Sequence, residues 1–273
     1  MQSPSSQATV SRSPCDDLPQ TDSSSTAITP VLILLHGAGA NHAMWNPVRR
    51  HLAPRFQTVA LDLPGHGSRG DSRFTLSSAV ETVVAEVQRV APAPVVLVGD
   101  SLGGYTSIAS AAAIDPKRLM GLVLGGCSQN IDKKTLRALR RRKWLIRIMG
   151  ALFGESRLVA KSASALVEKG IDRQDVDEIV AAGMRLRGWG EAVDSLADYD
   201  ALMLVRRISA PVLFINGERD VGPISHEAEF VAAAQDARAE HFPCDHGASL
   251  WMPSEFASAT NQFIEHLLER PTA

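Results

Sequence analysis

An α/β architecture, a mostly parallel doubly wound sheet carrying a helical insertion, is what three observations predict. Short apolar runs rich in β-branched residues recur along the chain, each closed by glycine or another turn signal. Amphipathic stretches with helical spacing alternate with them. One interval, from about Gln129 to Arg207, breaks this alternation and holds helical patterns only. Runs that are apolar at every position suit strands buried on both faces, as in a parallel sheet. Their alternation with helices implies right-handed βαβ units with helices on both faces. Hydrophobic residues at 45% and charged ones at 21% of 273 allow a core of ordinary size, which excludes bulk disorder and a collagen-like fibre.

Met1 to about Thr29 is crowded with Ser, Thr, Pro and Gln and is nearly devoid of large apolar residues. It cannot bury enough surface to offset its ordering entropy, so residues 1–29 read as a disordered tail. Strands are then expected at Val31–Leu35, Thr58–Leu61, Val95–Val98, Leu119–Leu124 and Val212–Ile215, with a short last one around Glu240–Phe242. Helices are expected over Leu76–Val90, Leu102–Ile114, His226–Ala234 and Glu255–Leu268. In the first of these, Leu76, Val80, Val83, Val84 and Val87 recur at three- and four-residue steps, one apolar stripe of a helix. The division that follows is a core in two parts, 30–128 and 208–273, with a helical cap over 129–207. Such a cap covers the sheet's carboxyl edge, where open α/β sheets bind ligands.

Several function classes drop out on composition. A net charge of -2 gives no general attraction to nucleic acid. Cys15, Cys127 and Cys244 are odd in number and far apart, which supports neither a disulfide framework nor a zinc site. No apolar run reaches the roughly 18–20 residues of a bilayer span. The N-terminal stretch lacks the basic start and apolar middle of a secretory signal, so a cytoplasmic location is expected. Homo-oligomerisation stays open.

The sharpest chemical signal is Gly99-Asp100-Ser101-Leu102-Gly103-Gly104, between an apolar strand and an alanine-rich helix. A tight strand-to-helix turn lifts Ser101 above the sheet, and flanking glycines keep side chains from colliding there. The helix start aims backbone N–H groups at the reacting centre. A serine needs a base to take its proton and a carboxylate to orient that base. Asn216-Gly217-Glu218-Arg219-Asp220 follows the strand Val212–Ile215, and Cys244-Asp245-His246-Gly247 follows the last strand. Both therefore fall at the edge that carries Ser101. Glu218 and Asp245 are rival acids, but Asp245 adjoins the histidine it would have to orient, and a sequence neighbour rarely reaches the ring's far nitrogen. The other histidines, such as His42, His51 and His241, are read as surface or core residues. A negative oxygen in the reaction also needs preset donors. The N–H groups of Leu102 and of Ala38, in the loop His36-Gly37-Ala38-Gly39, are the two candidates. A phosphate-binding role for that loop fails because no Lys-Ser/Thr follows it.

Residues 31 to about 268 resemble the α/β-hydrolase superfamily. The resemblance rests on His36-Gly37, Asp62-Leu63-Pro64-Gly65-His66-Gly67, Gly99–Gly104, Gly217-Glu218-Arg219-Asp220 and His246, in that order. It implies a Ser101–His246–Asp220 triad, with Ala38 and Leu102 as oxyanion donors and a structural role for the Asp62–Gly67 turn. It implies no cofactor and no metal, and a small-molecule substrate. The chain departs from the family in lacking leading strands before Val31, so a shortened, all-parallel sheet is expected. It departs again at Asp100, which either biases the pocket against anions or hydrogen-bonds behind the elbow; the second is preferred. Gly-Asp-Ser-Leu also spells the mark of another esterase family, but here it sits mid-chain, and the match is a coincidence.

A serine nucleophile argues against relatives that attack with aspartate. The reading is a serine hydrolase that cleaves an ester-type bond of a small, largely apolar substrate through an acyl-enzyme on Ser101. A diketone carbon–carbon hydrolase and a thioesterase on the same residues are the alternatives, and a small-molecule receptor is the alternative of another class. Gly37 and Trp144 are candidate substrate contacts. The cluster Arg137, Arg140, Arg141, Arg142, Lys143 and Arg147 around Trp144 and Leu145 is read first as a solvated helix face, with Leu136, Leu139, Trp144 and Ile148 packed downward. Its functional reading is recruitment of an anionic substrate, carrier or membrane surface.

Overall fold

The computed structural model describes residues 29–270. Among them a six-stranded sheet forms from β1 (Val31–Leu35), β2 (Thr58–Leu61), β3 (Val95–Asp100), β4 (Leu119–Gly125), β5 (Val212–Gly217) and β6 (Ala237–Phe242). The strand order is β2-β1-β3-β4-β5-β6, and every neighbouring pair is parallel. The chain turns back on itself between β1 and β3, which opens a crevice at their carboxyl ends.

Every position of β1, β3 and β5 is buried, because helices cover both faces. Alternate side chains feed two cores. Ile33, Leu35, Leu97, Leu122 and Phe214 face α2 (Leu76–Arg89) and α3 (Leu102–Ala111). Leu32, Leu34, Val96, Val98 and Ile215 face Trp45, the short α1 (Asn46–Arg49) and the final helix, through Phe256, Phe263 and Ile264. Thr75 caps α2 by accepting from the Ser78 N–H at 3.1 Å, while Ser78 Oγ accepts from the Thr75 N–H at 3.1 Å, a reciprocal cap that satisfies two orphan donors.

Between β4 and β5 lie five helices, α4 (Lys133–Phe153), α5 (Glu155–Glu168), α6 (Arg173–Ala181), α7 (Leu186–Ser195) and α8 (Ala201–Val205). Asp132, Asp172 and Asp200 cap three of them, each carboxylate accepting a backbone N–H at 2.6–2.9 Å. This segment touches the loops that follow β1 and β2. Asn41 Nδ2 donates to the Ile179 carbonyl at 2.7 Å, the Arg185 N–H to the Gly39 carbonyl at 3.2 Å, and the Phe74 N–H to Glu191 Oε2 at 2.7 Å.

After β5 come α9 (Val221–Ala233), the short α10 (Ala248–Trp251) and α11 (Pro253–Glu269). All six expected strands are present, and α9 starts five residues before its expected His226. Gly222 and Pro223 read as breakers in the sequence, yet proline is tolerated in a helix's first turn, where its missing N–H has no intrahelical partner. Strand β6 also starts earlier, at Ala237, because an edge strand needs only a partly apolar face. The expectation of a disordered tail over 1–29 falls, apart from Thr29, outside the described residues.

Candidate active site

Strand β3 ends at Asp100 and α3 begins at Leu102, which leaves Ser101 alone in the turn with φ 54° and ψ -113°. It is the one non-glycine residue with positive φ among the described residues. Such a conformation costs roughly 1–3 kcal/mol and persists only where the surroundings over-determine it. Here the Ser101 N–H donates to the Gly125 carbonyl at 2.7 Å, and its own carbonyl accepts from the Tyr105 N–H at 3.1 Å. A Cβ on Gly103 would overlap the Leu35 carbonyl, and one on Gly99 would overlap the Gly103 backbone. The glycines thus let α3 rest directly on the two strands beneath it.

Two further loops reach the serine. His246 Nε2 lies 2.8 Å from Ser101 Oγ, and His246 Nδ1 lies 2.6 Å from Asp220 Oδ2. The loops after β5 and β6 are laced together, with the Glu218 N–H donating to the Phe242 carbonyl at 2.8 Å and the Arg219 N–H to the Cys244 carbonyl at 3.1 Å. Asp245, the rival acid, pairs instead with Arg219 at 2.9 Å. Burial pulls the His246 pKa down, but the hydrogen bond and charge of Asp220, with the more distant Asp100, outweigh it and raise the pKa above the ordinary value. With Nδ1–H donated to Asp220, Nε2 presents its lone pair to the serine hydroxyl.

The loop after β1 closes the third side. His36 is fully buried; its Nδ1 donates to the Gly37 carbonyl at 2.8 Å and its Nε2 accepts the Leu63 N–H at 3.1 Å. Burial, aided by nearby His66, lowers its pKa to about 3, so the ring is neutral. Asp62 braces the same region by accepting the His42 N–H at 2.8 Å, the Ser68 N–H at 2.8 Å and the Ser68 hydroxyl at 2.7 Å. Burial works against the Asp62 carboxylate, but these hydrogen bonds hold its pKa below the usual value. A Cβ on Gly37 would sit 3.8 Å from Ser101 Cβ, so this loop abuts Ser101. Among the described residues the N–H groups of Ala38 and Leu102 have no protein acceptor. For Leu102 that follows from its place as first residue of a helix.

Asp100 is wholly buried and turned inward, with Oδ2 accepting from the Ser249 N–H at 3.1 Å and from the Ser249 hydroxyl. It ties the elbow to α10, just beyond His246. Trp144 takes no part in the cluster. It stands 63% exposed on α4, and a cavity of about 610 Å³ beside that helix is lined by its neighbours Lys143, Ile146, Arg147 and Gly150. Sequence reasoning missed Ser249, and also Met44, whose Sδ lies 3.5 Å from the Gly37 N–H. Among the described residues no group of three or more His, Cys, Asp or Glu is placed to hold a metal ion.

A parallel sheet with a strained serine at a strand–helix turn, and an imidazole and carboxylate meeting it from later loops, defines the class of α/β hydrolases. Residues 32–259 match the model of the Alpha/beta hydrolase family, and the chain belongs to that family. It is 28% identical over 260 residues to a pimeloyl-[acyl-carrier protein] methyl ester esterase of Nitrosospira multiformis, a match covering 86% of this chain and 94% of the relative. Among solved structures, a hydrolase from Pseudomonas aeruginosa superposes with a TM-score of 0.71 at 23% identity, over 86% of this chain and 90% of its own. A thermophilic esterase from Thermogutta terrifontis gives 0.70 at 18% identity, over 88% and 92%. At these identities the structural likeness concerns the fold.

Proposed function

We propose that the chain is a serine-dependent carboxylic-ester hydrolase, acting through an acyl-enzyme on Ser101. The observation that carries this reading is the relay of 2.8 Å from Ser101 Oγ to His246 Nε2 and 2.6 Å from His246 Nδ1 to Asp220. His246 takes the hydroxyl proton as Oγ bonds to the ester carbonyl carbon. The carbonyl oxygen, now negative, is held by the N–H groups of Ala38 and Leu102. His246 returns the proton to the departing alcohol, and a water activated by the same ring then releases the acid. Asp220 holds the imidazole in the working tautomer, and the helices of residues 129–207 act as a cap.

An oxygen ester is favoured over a diketone or a thioester because the Nitrosospira relative is named a methyl ester esterase. A small alcohol leaving group is the corresponding reading here. Carbon–carbon hydrolases of this superfamily usually place an asparagine before the serine and a tryptophan soon after the histidine, where Asp100 and Gly247 stand here, which weighs against that cleavage. A cytoplasmic location accompanies this reading, and the free, buried thiols of Cys127 and Cys244 fit it. The test is covalent labelling by a fluorophosphonate together with hydrolysis of short p-nitrophenyl and methyl esters. Wild type is expected to label and turn over, and Ser101→Ala to do neither. Undiminished labelling of the alanine variant would overturn the assignment.

A further inference from the structure

We infer that the outward face of α4 is a docking surface for an anionic phospholipid membrane. The helix carries eight Lys or Arg and no Asp or Glu in its 21 residues, within a chain whose net charge is -2. Three of the eight are engaged inward. Lys143 pairs with Asp194 of α7, Arg140 approaches the same carboxylate at 3.8 Å, and the Arg142 guanidinium lies over the Trp189 ring at 5.4 Å. The remaining five form no ion pair with the described residues. Lys134, Arg137 and Arg141 follow one another at three- and four-residue steps, so they share one side of the helix.

The same stripe turns apolar in the second half of α4. Trp144, Ile148 and Leu152 continue at four-residue steps, with Leu145 and Met149 one position further round. Trp144, Leu145, Met149, Leu152 and Phe153 are 63%, 55%, 41%, 70% and 48% exposed. They are five of the seven large apolar side chains exposed among the described residues, the others being Met203 and Val221. Scattered exposed apolar residues need no explanation, but a contiguous set on one helix does. The helix core lies on the opposite side, where Leu136 is buried and Ile146 and Gly150 line the cavity.

A lipid surface fits this face better than a protein. The face is a convex ridge of one helix, and the cavity beside it is lined from its inner side, so the stripe itself offers no groove for a partner's side chains. A bilayer interface needs no matching pocket. It accepts Trp, Leu and Phe at the headgroup boundary while Lys and Arg extend to anionic headgroups. No helix among the described residues is long and apolar enough to cross a membrane, so the contact is one of lying on the surface.

Co-sedimentation of the full chain with sonicated vesicles tests this. Vesicles of phosphatidylglycerol and phosphatidylcholine are expected to bind it at least tenfold more strongly than phosphatidylcholine alone, and 0.5 M salt should abolish most of the difference. The triple variant Lys134→Gln, Arg137→Gln, Arg141→Gln and the double variant Leu145→Ser, Leu152→Ser should each lose about tenfold in partitioning. Both should keep wild-type turnover of a soluble short-chain ester, which reports that they fold. Quenching of wild-type tryptophan fluorescence by brominated anionic lipid, lost in Trp144→Phe, gives the same answer should either variant fail to fold. Equal sedimentation with neutral and anionic vesicles, or none with either, overturns the proposal. So does binding of an acidic carrier protein by this face without any lipid binding.

Discussion

The contact between Asp220 and His246 decides both which ring nitrogen carries the proton and the pH at which the ring becomes neutral. Hydrogen bond and charge together hold the His246 pKa above its ordinary value despite burial. Activity that needs the neutral ring should therefore rise with pH along a limb centred above about 6.5. In Asp220→Asn the charge is gone and burial dominates, so the limb in kcat/KM should move to lower pH while kcat falls about 10⁴-fold. An unmoved limb would mean that another group titrates. Ser249 matters differently. It supplies both hydrogen bonds to Asp100 Oδ2, while Oδ1 of that buried carboxylate has no partner among the described residues. Ser249→Ala should cost about 1–3 kcal/mol in urea denaturation, the range for depriving a buried polar group of a hydrogen-bond partner. Ser101, His246 and Asp220, joined in one relay, could be picked from the sequence because each sits in a short motif at a strand's end. Ser249 could not, since it meets Asp100 across 149 positions and belongs to no motif.

Among elements, α3 is the one whose position sets the chemistry, because its first residue follows Ser101 directly. It can sit so low on β1 only because Gly103 has no side chain; a Cβ there would overlap the Leu35 carbonyl. Gly103→Ala should lift the helix, with a loss of about 3 kcal/mol as for an overpacked core and a larger loss of fluorophosphonate labelling than of folded protein. Thermal denaturation and labelling of the same sample separate the two. The elements were mostly legible in advance because β1, β3, β4 and β5 are apolar at nearly every position, a pattern set by burial on both faces. The start of α9 was not, since Gly222 and Pro223 look like breakers in sequence, although a proline in a helix's first turn forfeits no intrahelical hydrogen bond. Trp144 shows the converse limit. Spacing placed it on a helix, but spacing does not say which way a helix of mixed apolar and basic residues turns its faces.

Over the whole molecule, acid stability follows from how the loops above the sheet are built. His36 and His66 are both buried and both held below their ordinary pKa, mainly by burial. Protonating His36 would set a second N–H against the Leu63 N–H that its Nε2 now accepts. The unfolded chain protonates this ring near pH 6.5, whereas the folded chain resists until about pH 3. Between those values the unfolded state binds more protons, so stability falls as pH falls, by up to about 1.4 kcal/mol per pH unit for His36. Two other shifts act mainly outside this range, that of His246 in the opposite sense and that of Asp62 in the same sense. His246, raised in the folded state, adds stability that is full below about 6.5 and is lost as pH rises through its folded pKa. Asp62, lowered in the folded state, loses its contribution only near and below the ordinary carboxylate range. The interval from pH 6 to 5 therefore reports mainly on the buried histidines. Urea denaturation across it should show a steep decline in wild type and a shallower one in His36→Gln, which starts less stable at pH 7 because the Leu63 N–H loses its ring acceptor. Parallel slopes for the two proteins would show that the fold does not hold His36 neutral.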